Sequence, residues 1–226
     1  MVDLDKVCII LPAYNEGKVI YSVLSEIQKE GFKNILVIDD CSKDNTFSEA
    51  KKSGAKVIHH SKNKGAGGAT KTGLEYAKNS PFEHFVFMDS DGQHSPKDVV
   101  NLLKYALKYD VVIGSRLIKT KGMPLTRKLI NMFGSFLTWI FFGLYVRDSQ
   151  SGFKVFNKKA VSKIKLNYDG FEFCSEIIGE IHKHKLKFKE VPIKVIYTDH
   201  SLGKGHGQSV ANGLQMVWRF IWRKRN

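Results

Sequence analysis

Cysteine is scarce in this 226-residue chain: Cys8, Cys41 and Cys174 form no CxxC pair and no metal-ligand spacing. An odd, sparse set argues against a disulfide framework and fits a reducing compartment. Long apolar runs are missing too. No stretch of about 18 apolar residues occurs, so no membrane-spanning helix is expected. The first apolar run, Val7 to Leu11, is short and has no basic segment before it, so no secretory signal peptide is expected. Internal repeats and low-complexity tracts are absent. Acid is in deficit: 22 Asp and Glu against 36 Lys and Arg leave a formal net charge of +14. Residues 154–226 hold fifteen of the cations and six of the acids. Such a half attracts polyanions, whether nucleic acid, anionic lipid or phosphorylated substrate. A hydrophobic fraction of 42% rules out a disordered chain and, at this length, fits one domain with a small appended tail.

What the chain does have is an alternation of strand and helix patterns. Short apolar runs, as in buried parallel strands, stand at Val7–Leu11, Asn34–Ile38, Lys56–His59, Phe85–Met88 and Asp110–Gly114. Helical patterns separate them at Lys18–Lys29, Asp44–Lys52, from a Gly-rich loop at 65–68 through Lys78, and Pro96–Tyr105. The repetition predicts an α/β fold with a doubly wound, mostly parallel sheet. After Arg116 a basic loop is expected over 117–128, then a Phe- and Trp-rich segment, Leu129 to Val146, that reads equally as an interfacial helix or a buried one. Asp148–Phe156 reads as a turn into a strand, Glu172–His184 as a helix and Lys187–Tyr197 as an edge strand. The tail from Gln208, ending WRFIWRKRN, mixes Trp with Arg as interfacial helices do. Residues 1–200 are therefore expected as the main domain and 201–226 as a basic, aromatic, amphipathic tail helix.

Ligands of doubly wound sheets bind beyond the carboxyl ends of the strands. The polar clusters of this chain fall there: Tyr14-Asn15-Glu16, Asp39-Asp40, Asp89-Ser90-Asp91 and Ser115-Arg116. Two carboxylates two residues apart, Asp89 and Asp91, suit a hard cation such as Mg²⁺ or Mn²⁺, with Gln93 adding an oxygen or His94 a nitrogen. Such an ion bridging a diphosphate stabilises the charge on a departing group. Asp39-Asp40 suits a base or ribose hydroxyl. Tyr14 suits stacking on a base, and Glu16 a polar edge. Each cluster also has a structural reading as helix caps or turn residues. Asn63 to Gly73 nearly matches a P-loop, but Thr70 replaces its second glycine, which leaves a Gly-rich turn, Gly68 included, beside a nucleotide. Arg116, Arg127 and Lys128 suit phosphate oxygens. The loop His200–His206, with Lys204, reads either as a lid over the donor or as a tail linker.

Taken together, PAYNE at 12–16, VIDDCSKDNT at 37–46, MDSDGQH at 88–94, GSR at 114–116 and DSQSGFKVF at 148–156 resemble family-2 glycosyltransferases of the GT-A fold. Within that family the chain is similar to the dolichyl- and polyprenyl-phosphate sugar synthases. The resemblance implies a metal-dependent, inverting hexosyltransferase. It would take a sugar from GDP-mannose or UDP-glucose and place it on a polyprenyl or dolichyl phosphate, working in the cytoplasm as a peripheral protein on the cytoplasmic membrane face. Pro12, Tyr14, Asn15, Glu16, Asp39, Asp40, Gly68, Asp89 and Ser90 are then expected to hold the nucleotide sugar. Asp89, Asp91 and Gln93 are expected to hold Mg²⁺ or Mn²⁺, and Arg116, Arg127 and Lys204 the acceptor phosphate. Asp91, Arg116, Asp148 and Glu176 are the catalytic candidates, a carboxylate base being needed only where the acceptor is not already ionised. Two departures stand out: Asn131, where the synthases often carry Ser, and the tail YTDHSLGKGHGQS. The alternatives are transfer to a cell-surface glycan, a nucleotidyltransferase, and a basic nucleic-acid-binding module. The last lacks the aromatic–basic repeats of a stacking platform, so no nucleic-acid partner is expected.

Overall fold

The computed structural model describes residues 2–118, 120, 123 and 125–196. The 200–206 loop with Lys204, and the tail expected as a helix, lie outside the described residues.

Among the described residues, seven strands form one sheet in the order β3-β2-β1-β4-β6-β5-β7. They are β1 (Val7–Ala13), β2 (Ile35–Asp39), β3 (Lys56–His59), β4 (His84–Phe87), β5 (Val111–Ser115), β6 (Lys154–Asn157) and β7 (Phe188–Pro192). All pairings are parallel except those of β6, which runs antiparallel to both β4 and β5. Among the described residues, helices α1 (Ile20–Lys29), α2 (Thr46–Lys52), α3 (Gly65–Asn79), α4 (Pro96–Ala106), α5 (Leu125–Phe142), α6 (Lys158–Lys163) and α7 (Phe173–Lys183) accompany the sheet.

The continuous apolar runs of β1, β2 and β4 follow from burial on both faces. Successive strand residues point to opposite sides, so Val7, Ile9 and Leu11 pack with Ile20, Leu24 and Ile27 of α1 and Val99 and Leu102 of α4. Cys8 and Ile10 join the opposite layer, with Leu74 and Ala77 of α3 and Ile177, Ile178 and Ile181 of α7. The sheet is thus doubly wound and mostly parallel.

Four local expectations need correction. Residues 65–68 are not a loop but the first turn of α3. The basic segment turns helical at Leu125, so Arg127 and Lys128 lie on α5, which ends at Phe142 short of Val146. The edge strand stops at Pro192, and Val195 makes only an isolated bridge with His94. Helix α6 had no counterpart in the sequence reading; it is a six-residue helix capped by Asn157, which accepts from the Ala160 amide at 2.8 Å.

Candidate functional site

The reversal of β6 builds the site. Lys154, its first residue, pairs with Phe87 near the end of β4 and with Ile113 on β5. The chain entering β6, residues 148–153, therefore arrives on the same rim as Asp89, which follows β4, and Arg116, which follows β5.

Asp89 is half exposed on the floor of this rim. Its carboxylate lies against Gly152: a β-carbon there would fall 2.3 Å from Oδ1. Ser90 donates from Oγ to the Pro12 carbonyl at 2.8 Å, tying the turn to β1. Ser90 and Pro12, both expected to hold the nucleotide sugar, are thus engaged with each other. Asp91 accepts from the Gln93 amide at 2.9 Å, and the Gln93 carbonyl accepts from Ile196. The buried His94 ring stacks on Phe153 at 4.8 Å. Its Nδ1 accepts from the Asp89 amide, so the neutral ring carries its proton on Nε2, 3.6 Å from the Asp89 carboxylate. Burial pushes the imidazole pKa down to about 4.

The pKa of both carboxylates of the pair is raised. Lost hydration comes first for each, at Asp89 despite its half-open side chain because the rim crowds the carboxylate; Arg116 and Lys154 oppose it at Asp89, and Asp89 itself adds to it at Asp91. Glu16, buried after β1, contributes negative field to both, and Asp148 to Asp89. Among the described residues no three His, Cys, Asp or Glu side chains converge as a closed metal cage. A pair of carboxylates that leaves the remaining positions to phosphates and water is the usual arrangement for Mg²⁺, so the chemistry of Asp89 and Asp91 fits such an ion.

Asp148, a catalytic candidate, is engaged by Arg116. It has no exposed surface, and Arg116 grips it with its backbone amide at 2.8 Å, Nε at 2.8 Å and Nη2 at 2.7 Å. Burial would push the carboxyl up, but the charge and hydrogen bonds of Arg116 override it and hold the pKa below its ordinary value. The same pairing overrides burial at Arg116 and raises the guanidinium. Glu176 is likewise occupied: its carboxylate accepts from the Asn167 amide and side chain and from the Tyr168 amide, at 2.7–3.1 Å, and serves to hold that loop.

At the β2 end, Asp39 accepts from the Ser42 amide and pairs with His59 Nδ1 at 2.7 Å, with no exposed surface of its own. Asp40 caps α3, accepting from the Lys64 and Gly65 amides at 2.8 and 2.7 Å, and pairs with His60. The next amides, Gly67 and Gly68, donate to the Asp169 carbonyl. The glycine run thus permits a close approach between chain segments: a β-carbon at Gly67 would lie 2.4 Å from the Tyr168 carbonyl and one at Gly68 2.5 Å from Lys64 Cβ. Asp40 and Gly68, both expected at the nucleotide, are thus engaged by neighbouring chain segments. Asn15 adopts φ 55°, a conformation asparagine tolerates. It bridges to the β2–α2 loop through Ser42 Oγ and the Lys43 amide, and leaves Tyr14 at the exposed edge.

Arg116 also borders a cavity of about 640 Å³ between α4 and β7, whose lining includes Lys104 and Lys194. Helix α5 shows solvent an apolar face of Leu125, Leu129, Met132, Phe133, Phe136 and Ile140, and bears Arg127 on its first turn. Its inner side is pinned by hydroxyls: Thr138 meets Ser149 and Ser175 at 3.0 and 2.7 Å, and Ser135 donates to the Arg147 carbonyl. Sequence reasoning missed Gly152 and Lys154. The signal was a lysine inside the apolar run Phe153–Phe156, in a motif already singled out.

Comparison with known proteins agrees with this geometry. The family described as glycosyl transferase family 2 matches residues 8–165. A UDP-N-acetylglucosamine–dolichyl-phosphate N-acetylglucosaminyltransferase of Methanococcus voltae is 38% identical over 96% of this chain and 95% of its own length. A dolichol-phosphate mannosyltransferase of Pyrococcus furiosus is 31% identical over 96% of this chain and 64% of its own. The glucosyl-3-phosphoglycerate synthase of Mycobacterium tuberculosis, solved with Mn²⁺, UDP and glucosyl-3-phosphoglycerate, superposes with a TM-score of 0.67 at 18% identity, covering 95% of this chain and 77% of that one. The carboxylate pair, the α/β rim that carries it and the matched length agree: this chain belongs to glycosyl transferase family 2.

Proposed function

We propose that the protein transfers a sugar from a nucleoside diphosphate sugar to a polyprenyl or dolichyl phosphate at a membrane surface, with inversion. The observation that carries this reading is the state of Asp148. The two carboxylates expected to serve as a base, Asp148 and Glu176, are both fully engaged, and Asp148 is held ionised by Arg116. A neutral sugar hydroxyl needs a base; a phosphate acceptor is already ionised. The lipid-phosphate relatives support the same acceptor class.

Asp89 and Asp91 hold Mg²⁺ or Mn²⁺ in this reading, and the ion supplies charge stabilisation to the departing diphosphate. Tyr14 and Glu16 flank the nucleotide. The M. voltae relative favours a UDP-linked donor. Arg116 positions the acceptor phosphate through the guanidinium protons that Asp148 leaves unused, with Lys104 and Lys194 across the cavity and Arg127 on α5. The apolar face of α5, flanked by Arg127 and Lys128, suits an interface helix on anionic lipid. No helix among the described residues is long and apolar enough to cross a membrane.

The test offers UDP-N-acetylglucosamine, UDP-glucose and GDP-mannose in turn, with Mn²⁺ or Mg²⁺ and a short-chain polyprenyl phosphate. The expected product is one lipid-linked sugar, lost when metal is chelated and in Asp91→Ala. Transfer to soluble glycan with none to the lipid phosphate would overturn the acceptor assignment.

A further inference from the structure

Lysine is almost never fully buried without a partner, yet Lys154 retains 1% of its surface. It interrupts a run of core residues, Phe153, Val155 and Phe156, each at most 1% exposed. Burial pushes the ammonium pKa down, while Cys174, Asp148 and Asp89 hold the proton on and Arg116 opposes them. Of its three donors, the hydrogen bond the structure shows goes to the Ser151 carbonyl. An apolar residue would fill this strand position with less desolvation, so the lysine must serve something beyond packing.

Its partner indicates what. Ser151 precedes Gly152, the residue whose α-carbon abuts the Asp89 carboxylate. The Ser151 amide accepts no freedom either: it donates to the Asp148 carbonyl at 3.3 Å, and Ser151 Oγ accepts from the Phe153 amide at 3.2 Å. The turn is thus held from three sides, and the ammonium is the side that reaches it from the sheet. Lys154 also belongs to the set of charges that act on Asp89.

We propose that Lys154 is a positioning residue for the metal-binding carboxylate: by holding the Ser151 carbonyl it seats Gly152 against Asp89 and fixes the direction in which that carboxylate meets a divalent cation. The inference rests on the reading of Asp89 as a metal ligand. Groups that orient ligands in this way change metal affinity by about 10- to 100-fold when removed. Electrostatics alone has the opposite sign, because deleting a nearby cation removes repulsion toward the incoming ion.

The experiment titrates Mn²⁺ into protein with saturating UDP by calorimetry, for wild type, Lys154→Met and Lys154→Gln, and records the melting temperature of each. Methionine keeps the length of the side chain and removes both charge and donor; glutamine keeps a donor for the carbonyl. Expected are a melting temperature equal to or above wild type for Lys154→Met, with Mn²⁺ affinity at least about tenfold weaker. Lys154→Gln should lie within a few-fold of wild type. Unchanged or tighter Mn²⁺ binding in Lys154→Met overturns the proposal. So does equal weakening in both variants, because a side chain that keeps a donor for the Ser151 carbonyl would then restore nothing. If Lys154→Met does not fold, the glutamine variant decides: affinity near wild type supports positioning, and a tenfold loss sinks it. A wild-type chain that binds no Mn²⁺ with UDP refutes Asp89 as a ligand and the inference with it, whereas normal wild-type binding with an unaltered methionine variant removes Lys154 alone.

Discussion

The α-carbon of Gly152 supports the carboxylate of Asp89 so closely that a β-carbon would stand 2.3 Å from Oδ1 and 2.8 Å from Oδ2. The contact joins residues 63 positions apart and exists only because β6 runs against β4. Gly152→Ala is expected to push the Asp89 side chain aside while leaving the core on both faces of the sheet intact. If Asp89 holds the ion, metal-dependent binding of UDP should weaken by about 10- to 100-fold, as when groups that orient metal ligands are lost, with little change in melting temperature. Calorimetry with and without Mn²⁺ reads the first quantity and thermal denaturation the second. Full metal dependence in the alanine variant would show that Asp89 does not need this seat.

Arg116 and Asp148 make a second expectation, on stability. Removing one partner of a buried pair leaves an uncompensated charge, at a cost of about 3–5 kcal/mol. Asp148→Asn should therefore lower the unfolding free energy by that order in urea denaturation at neutral pH. The pH dependence has a definite sign. The folded-state pKa of Asp148 lies below the unfolded one, so the pair's contribution is complete above the unfolded value of about 3.9. It is lost as the pH falls through the lower, folded value. The gap between wild type and Asp148→Asn should accordingly be constant from pH 7 to about 5 and narrow only below about 4. A gap that closes near pH 6 would mean that Asp148 titrates there and is open to act as a base.

The sheet was legible in the sequence because strands buried on both faces are unbroken apolar runs, and the polar clusters could be placed at their ends by inspection. Relations between distant segments were not. Nothing local to Asp148 announces Arg116, 32 positions earlier, since the two meet only when β6 folds back beside β5. The glycines at 65–68 read as a loop because glycine is a poor helix former. Their helix is secured by tertiary partners, the Asp40 carboxylate and the Asp169 carbonyl. Arg127 and Lys128 read as loop from composition, yet the exposed apolar face of α5 begins two residues earlier at Leu125.

That face supplies a third expectation. Leu129 and Phe136 are about half exposed and lie on the same side of α5, seven residues apart. Each gains about 2 kcal/mol on entering an apolar medium. Leu129→Ser with Phe136→Ser should cut sedimentation with vesicles containing anionic lipid by more than tenfold. Calorimetric UDP binding should stay at the wild-type level, since the proposed donor residues Tyr14, Glu16, Asp89 and Asp91 stand at strand ends and not on α5. Equal sedimentation of the double variant and wild type would exclude α5 as the docking face.

Glu176 separates the two acceptor classes. Its carboxylate takes hydrogen bonds from the Asn167 and Tyr168 amides and the Asn167 side chain, and it is 6% exposed. If the acceptor were a neutral hydroxyl and Glu176 its base, Glu176→Gln would remove the proton acceptor and lower kcat by about 10²- to 10⁴-fold. If the residue only holds the 167–168 loop, glutamine retains one acceptor oxygen and turns the other position into a donor facing amides. The cost then falls on stability, at about 1–3 kcal/mol for the unsatisfied group, with kcat on a lipid phosphate acceptor within a few-fold of wild type. Steady-state kinetics together with a melting curve measures both quantities. A large fall in kcat at unchanged stability would restore Glu176 as a base and with it the glycan acceptor.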